Sequence, residues 1–186
     1  MRVFAGIYPP EEACAHLAAR VGTLHISSAG LDTRLASRVQ WHVTLVFLGE
    51  IPDGRLPEVD AALTTATHST GTKPARLRIA GGGRFGRGRL TILWAGLTGE
   101  VDRLTRLGET TRRTLARAHL PFDSRPFRPH LTLARSGDRV DRLQVDADRA
   151  ALDAYEGPEW PVTHLRLMRS QLTPTPLYTE LARYDL

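Results

Sequence analysis

Apolar and polar positions alternate along this chain with two periods, and the switches between them mark its elements. From Arg2 to Tyr8, Val3, Ala5 and Ile7 alternate with Arg2, Phe4 and Gly6, which predicts a short strand stopped by Pro9-Pro10. Glu11 and Glu12 then stand where acids favour a helix N-terminus, and Ala13, Leu17, Val21 and Leu24 recur at helical spacing. Val39 to Leu48 is β-rich and predicts a strand that stops at Gly49-Glu50, before the turn chemistry of Pro52-Asp53-Gly54. Leu56, Val59, Leu63 and Ala66 predict a second helix. Ala75 to Ala80 and Leu90 to Leu97 read as strands flanking a glycine-rich, hairpin-like connection over Gly81 to Gly88. Val101, Leu104, Leu107, Thr111, Leu115 and Ala118 outline a third helix ending near Leu120-Pro121. A strand from His130 to Arg135, a short helix around Asp141 to Leu152, and strands over Val162 to Ser170 and Leu177 to Tyr184 complete the pattern. Short elements joined by tight turns and hairpins, rather than by uniform βαβ crossovers, predict an α+β fold with largely antiparallel sheets. No linker or low-complexity segment divides the chain, so a single domain is expected over residues 1–186.

Composition narrows the classes. A chain of 186 residues with mean hydropathy −0.25 is long enough to bury one sizeable core. The longest run without Asp, Glu, Lys or Arg, Ala61 to Thr72, is too short for a membrane-spanning helix, and the N-terminus lacks the apolar run and small-residue cleavage site of a signal peptide. The lone cysteine, Cys14, excludes an intrachain disulfide and any multi-cysteine metal site, as expected of a reducing, cytoplasmic setting. The formal charge is +5, and every basic residue but Lys73 is arginine. Such a surface suits a polyanion, although a GC-rich genome produces the same arginine bias.

The candidate chemistry lies in an internal repeat. His42-Val-Thr-Leu-Val-Phe-Leu-Gly-Glu50 aligns with His130-Leu-Thr-Leu-Ala-Arg-Ser-Gly-Asp138, with His, Thr, Leu and Gly in register and an acid closing each copy. In a strand, residues i and i+2 share a face, so His42 with Thr44, and His130 with Thr132, point the same way. A duplicated unit relates such copies by an approximate two-fold axis, which brings two imidazoles and two hydroxyls into one groove. One His-x-Thr match in a β-rich run is an ordinary buried histidine; two in register are much harder to dismiss. His16, His25, His68, His119 and His164 lack comparable surroundings.

The paired motifs resemble those of the two-histidine (2H) phosphoesterases, specifically the RNA 2′,3′-cyclic phosphodiesterases also known as LigT-like 2′-5′ RNA ligases. Arg2-Val-Phe-Ala-Gly-Ile7, Arg84-Phe-Gly-Arg87 before Leu93-Trp-Ala-Gly-Leu97, Phe127-Arg-Pro-His130, and Leu167-Met-Arg-Ser-Gln-Leu172 with Tyr178 extend the resemblance nearly end to end. Trp41, where the family more often has a Glu-Asn-Leu-like stretch, and Pro174-Thr-Pro176, in place of a glycine-containing turn, depart from it. The resemblance implies a bilobal duplicated fold: two largely antiparallel sheets related by a pseudo-two-fold axis, helices outside, and a basic groove between the lobes. It also implies metal-free, cofactor-free opening of 2′,3′-cyclic phosphate ends of RNA or nucleotides to 2′-phosphomonoesters, with reversible 2′-5′ ligation as a companion activity. His42 is then the proton donor to the departing 3′ oxygen and His130 the base on water. An acid and a base are what this hydrolysis needs, and imidazole serves as either near neutral pH.

Thr44 and Thr132 are placed to bond the non-bridging oxygens, and Arg135 to clamp the phosphate if the strand ends at Ala134. As an ordinary strand-end arginine it would instead be solvated. Arg84, Arg87 and Arg89 with Phe85 form a basic lip with one stacking ring for RNA, or a plain exposed hairpin. Gly81-x-Gly83-x-x-Gly86 spells a dinucleotide fingerprint, but a strand rather than a helix is predicted after it. Two histidines with threonine partners make a poor metal site. The chain is expected to act as a monomer; the competing expectation is a non-catalytic RNA- or nucleotide-binding protein using the same groove.

Overall fold

In a computed structural model of the chain, residues 1–28, 33–69, 74–86, 91–136, 141–171 and 177–186 are described. The strands are β1 (Arg2–Ile7), β2 (Thr33–Leu35), β3 (Val43–Glu50), β4 (Arg76–Phe85), β5 (Ile92–Gly99), β6 (Leu131–Ser136), β7 (Glu156–Pro161), β8 (His164–Gln171) and β9 (Leu177–Asp185). The helices are α1 (Glu11–Val21), α2 (Leu56–His68), α3 (Val101–Arg117) and α4 (Arg142–Asp153). The strands lie in the order β7-β4-β5-β6-β3-β1-β8-β9, all pairs antiparallel, with β2 added beside β6.

The order reads as two four-stranded halves in which β3 and β6 correspond, as do β1 and β5, β8 and β4, and β9 and β7. The expected duplicated antiparallel architecture is thus present as two halves of one continuous nine-stranded sheet, joined where the two motif strands meet at Val43 and Leu131. Beyond that pair the strands diverge, and β2 covers the free edge of β6. α1 and α4 pack over the β4–β7 side, while α2 and α3 pack together over β3 and β9. The apolar stripes of the helices meet the inward rows of the strands, so Leu17, Leu45, Leu63, Leu77, Leu104, Leu115 and Leu131 are fully buried.

Three expectations change. The strand expected from Val39 begins at Val43, because Arg38–Gln40 coil into a 3₁₀ turn. The glycine-rich segment is not a connection as far as it is described: β4 runs on to Phe85. Gly81, at φ +71°, sits within the register shift between Ile79 and Gly82, and at Gly83 a Cβ would stand 2.0 Å from the Trp94 ring that crosses it. Arg87 and Arg89 lie outside the described residues. The strand β7 was not expected, since Glu-Gly-Pro-Glu-Trp-Pro reads as loop; as an edge strand paired only with β4 it tolerates its prolines.

One buried carboxylate fixes the approach to β2. Asp148 of α4 accepts from the backbone N–H groups of His25 (2.8 Å) and Ile26 (2.9 Å) and from His25 Nδ1 (2.8 Å). Among the described residues, no helix is long and apolar enough to cross a membrane, which says nothing of spanning by strands.

Candidate active site

His42 and His130 each stand one residue ahead of a motif strand, at the seam between the halves. Their rings are held the same way: Nδ1 of His42 donates to the Gln40 carbonyl, and Nδ1 of His130 to the Arg128 carbonyl, each at 2.6 Å. A carbonyl can only accept, so the proton of each neutral ring is on Nδ1 and Nε2 is left with its lone pair. Thr44 Oγ1 lies 3.1 Å from His42 Nε2, as two residues sharing a strand face should. Burial pushes both imidazoles below their usual pKa, against the backbone acceptors that raise it, and the charge of His130 lowers His42 further.

The same irregularity follows both threonines. Gly6 pairs with Thr44 and Ala5 with Val46, passing over Leu45; Trp94 pairs with Thr132 and Leu93 with Ala134, passing over Leu133. Two consecutive residues therefore face the core in each strand, Leu45-Val46 and Leu133-Ala134, all buried. The next residue returns to the threonine face: Phe47 in the first copy, Arg135 in the second. Arg135 thus reaches the histidine face although β6 continues to Ser136, and it is exposed there. The sequence expectation tied that orientation to a strand end; a bulge supplies it instead.

Aromatic rings line both histidines but differ in arrangement. Phe4 stacks on His42 at 4.7 Å and Tyr8 at 5.4 Å, with Tyr178 edge-on at 5.2 Å. Phe85 meets His130 edge-on at 4.9 Å, and Trp94 lies 6.1 Å away. Phe85 thus stands beside His130. Arg84, its neighbour, faces the opposite side of β4 and pairs with Asp146 of α4 at 3.4 Å, so the structure does not bring it to the histidines. Arg166 of β8 lies over the Tyr8 ring at 4.9 Å and pairs with Glu180 at 3.2 Å. Burial raises the Tyr8 phenol far above its usual pKa, so it stays a donor, and its buried hydroxyl has no partner among the described residues; nor has Trp94 Nε1. Sequence reasoning missed Phe4, Tyr8, Trp94 and Arg166. Its available signal was Phe4, a large aromatic on the face of β1 opposite Val3, Ala5 and Ile7. Among the described residues, no three His, Cys, Asp or Glu side chains gather to hold a metal ion.

The family described as the 2′-5′ RNA ligase superfamily matches residues 9–174. An RNA 2′,3′-cyclic phosphodiesterase of Thermus thermophilus is 30% identical over 100% of this chain and 90% of its own. One from Geobacillus stearothermophilus is 32% identical over 78% of this chain, which spans only 45% of that longer relative. Among solved structures, TT0787 of Thermus thermophilus aligns with TM-score 0.75 at 30% identity, covering 100% of this chain and 98% of that one. The complex of E.coli LigT with 3′-AMP aligns at 0.74 and 23% identity, covering 100% and 97%, a likeness of fold.

Proposed function

This chain belongs to the 2′-5′ RNA ligase superfamily, and from that premise we propose that it hydrolyses the 2′,3′-cyclic phosphate ends of RNA or nucleotides to 2′-phosphomonoesters. The observation that carries the reading is the twin setting of His42 and His130: two imidazoles on one face, each with its proton fixed on Nδ1 by a 2.6 Å bond, so that both Nε2 atoms are left for proton transfer. His130 Nε2 takes a proton from water as its oxygen attacks phosphorus. The bond to the 3′ oxygen breaks, and protonated His42 delivers its Nε2 proton to that oxygen, leaving a free 3′ hydroxyl and the phosphate on the 2′ oxygen. The Thr44 and Thr132 hydroxyls and the Arg135 guanidinium bind the non-bridging oxygens as their charge grows. Phe85 offers its free edge and face to the terminal base. With the 5′ hydroxyl of another RNA end in place of water as nucleophile, the same ring opening breaks the bond to the 3′ oxygen and leaves a 2′-5′ phosphodiester beside a free 3′ hydroxyl, the ligase direction.

Protons move through imidazoles here and charge is met by hydroxyls and a guanidinium, so the chemistry calls for no metal or cofactor. The same reading takes the enzyme as a monomeric cytoplasmic protein, in keeping with its lone, buried Cys14. The deciding assay is turnover of a nucleoside 2′,3′-cyclic phosphate in excess chelator with the product identified. The expected outcome is undiminished formation of the 2′-monophosphate. Loss of activity restored by a divalent ion would overturn the two-histidine mechanism, and tight binding without turnover would make the groove a binding site.

A further inference from the structure

The bulge at Leu133 has a neighbour across the sheet. Strand β2 pairs with β6 so that Arg34 lies directly opposite Arg135, and residues directly opposed in antiparallel strands share a face with Cβ atoms ~4.5–5.5 Å apart. On its other side Arg135 is opposed by Ile92, whose face is that of Trp94, Phe85 and Thr132. Two guanidinium groups therefore stand side by side on the histidine face. Like charges so placed repel, and both side chains are exposed and form no ion pair with a described residue. Several other arginines are neutralised by contacts with acids: Arg76 with Glu159, Arg84 with Asp146, Arg166 and Arg183 with Glu180. The corresponding edge of the first half is also neutralised. There Asp123 donates its backbone N–H to the Phe47 carbonyl at 2.8 Å, and its carboxylate takes up Arg125. The pairing of β2 with β6 is held in place by a buried anchor, Asp148, which fixes residues 25 and 26 ahead of it.

We infer that Arg34, beside Arg135, forms a second phosphate subsite that takes the phosphate on the 5′ side of the terminal nucleoside, making the preferred substrate a 5′-linked RNA end rather than a free nucleoside 2′,3′-cyclic phosphate. The inference rests on the proposed cyclic phosphodiesterase reading. Two adjacent arginines with no carboxylate between them among the described residues are relieved by one shared dianion or by two phosphates of one chain. With Arg135 engaged by the scissile phosphate, Arg34, one strand further out, meets the next anionic group along the strand. Arg34 is a binding residue in this reading and touches no reacting atom.

The test compares three substrates: a nucleoside 2′,3′-cyclic phosphate, the same compound carrying a 5′-phosphate, and a dinucleotide ending in the cyclic phosphate. Wild-type enzyme should show a lower KM for the second and third than for the first. Arg34→Ala should raise KM for those two by roughly tenfold, a charge-assisted contact weakened by exposure, and leave kcat and the first substrate within about twofold. Arg34→Lys should recover part of the loss. In parallel, the salt slope for binding a single-stranded oligoribonucleotide should fall by ~0.7 in Arg34→Ala, one phosphate contact fewer. Equal loss on all three substrates, or no loss on any, overturns the subsite. If wild-type enzyme turns over none of the three, the phosphodiesterase reading fails instead, and the salt slope still decides whether Arg34 contacts a phosphate.

Discussion

The two halves of the site share a backbone device and differ in what packs against it. In both, a carbonyl two residues upstream holds the imidazole Nδ1 at 2.6 Å and a bulge just past the threonine turns two residues into the core. His42, however, stacks with both Phe4 and Tyr8, whereas His130 and Phe85 meet T-shaped. An aromatic face is negative, so the stacked setting favours an imidazolium at His42. Duplication thus fixes the tautomer twice, and the aromatic surroundings are what distinguish the two copies. On the proposed mechanism this stacking suits His42 as the acid, set against the burial that lowers both imidazoles and the charge of His130 that lowers His42 further.

The largest effect expected comes from removing either ring. His42→Ala and His130→Ala should each lower kcat/KM by ~10²–10⁴-fold, and the double variant by far less than the product, because the two act in one step. A substrate whose leaving oxygen belongs to a phenol rather than a ribose needs no acid. It should restore much of the rate in His42→Ala and little in His130→Ala. Rescue of the His130 variant instead would exchange the roles and break the comparison.

A second contrast lies three residues past each threonine, where one copy has Phe47 and the other Arg135. Arg135→Ala should cost ~1–3 kcal/mol in kcat/KM, the range for a charged hydrogen bond. Phe47 carries Arg2 over its ring at 4.7 Å, so its half presents a cation only at second hand, and Phe47→Leu should change kcat/KM much less. Equal losses would mean that the two halves hold the phosphate alike.

The chemistry of this site was far more legible in the sequence than its orientation. His42, Thr44, His130 and Thr132 are found by register alone, because a strand's two-residue period forces each pair onto one face. Alternation also implied that Arg84 and Phe85 face opposite ways, which the lip over both overlooked. Arg135 was harder: its direction depends on the bulge at Leu133, and a bulge between two apolar residues leaves no mark in composition. Gly81 to Gly83 misled for the opposite reason, since glycine signals freedom without saying whether a turn, a bulge or a crossing ring uses it. Arg34 carries no motif and gains meaning only from its partner across β2 and β6.

The pH profile sharpens the aromatic contrast with a smaller effect. The kcat/KM curve should be bell-shaped, its acid limb set by protonation of the base and its alkaline limb by loss of the acid's proton. Because burial lowers both groups, the maximum should lie on the acid side of ~6.5, the usual imidazole value. Tyr8→Leu keeps the apolar cover over His42 but removes a π face, so the alkaline limb should move to lower pH. Phe85→Leu, at an edge-on contact, should leave that limb in place. If both variants move it equally, the stacking geometry does not distinguish the halves.

The smallest effect is on stability, and its sign follows from the same depressed values. A histidine kept neutral by burial binds fewer protons in the folded chain than in the unfolded one, so stability rises with pH across its titration. Its contribution is intact above the unfolded value of ~6.5 and is lost as pH falls through the lower folded value. The urea midpoint should therefore drop between pH 8 and pH 5. Replacing His42 with Gln should reduce that drop more than replacing His130, because His42 is the more deeply buried and feels the charge of His130 as well. Glutamine keeps a hydrogen-bonding group of similar reach but takes up no proton, so the comparison isolates titration from packing. If the drop persists unchanged in both variants, acid sensitivity resides in the carboxylates instead, and the two imidazoles are too well hydrated for the aromatic contrast to govern their charge.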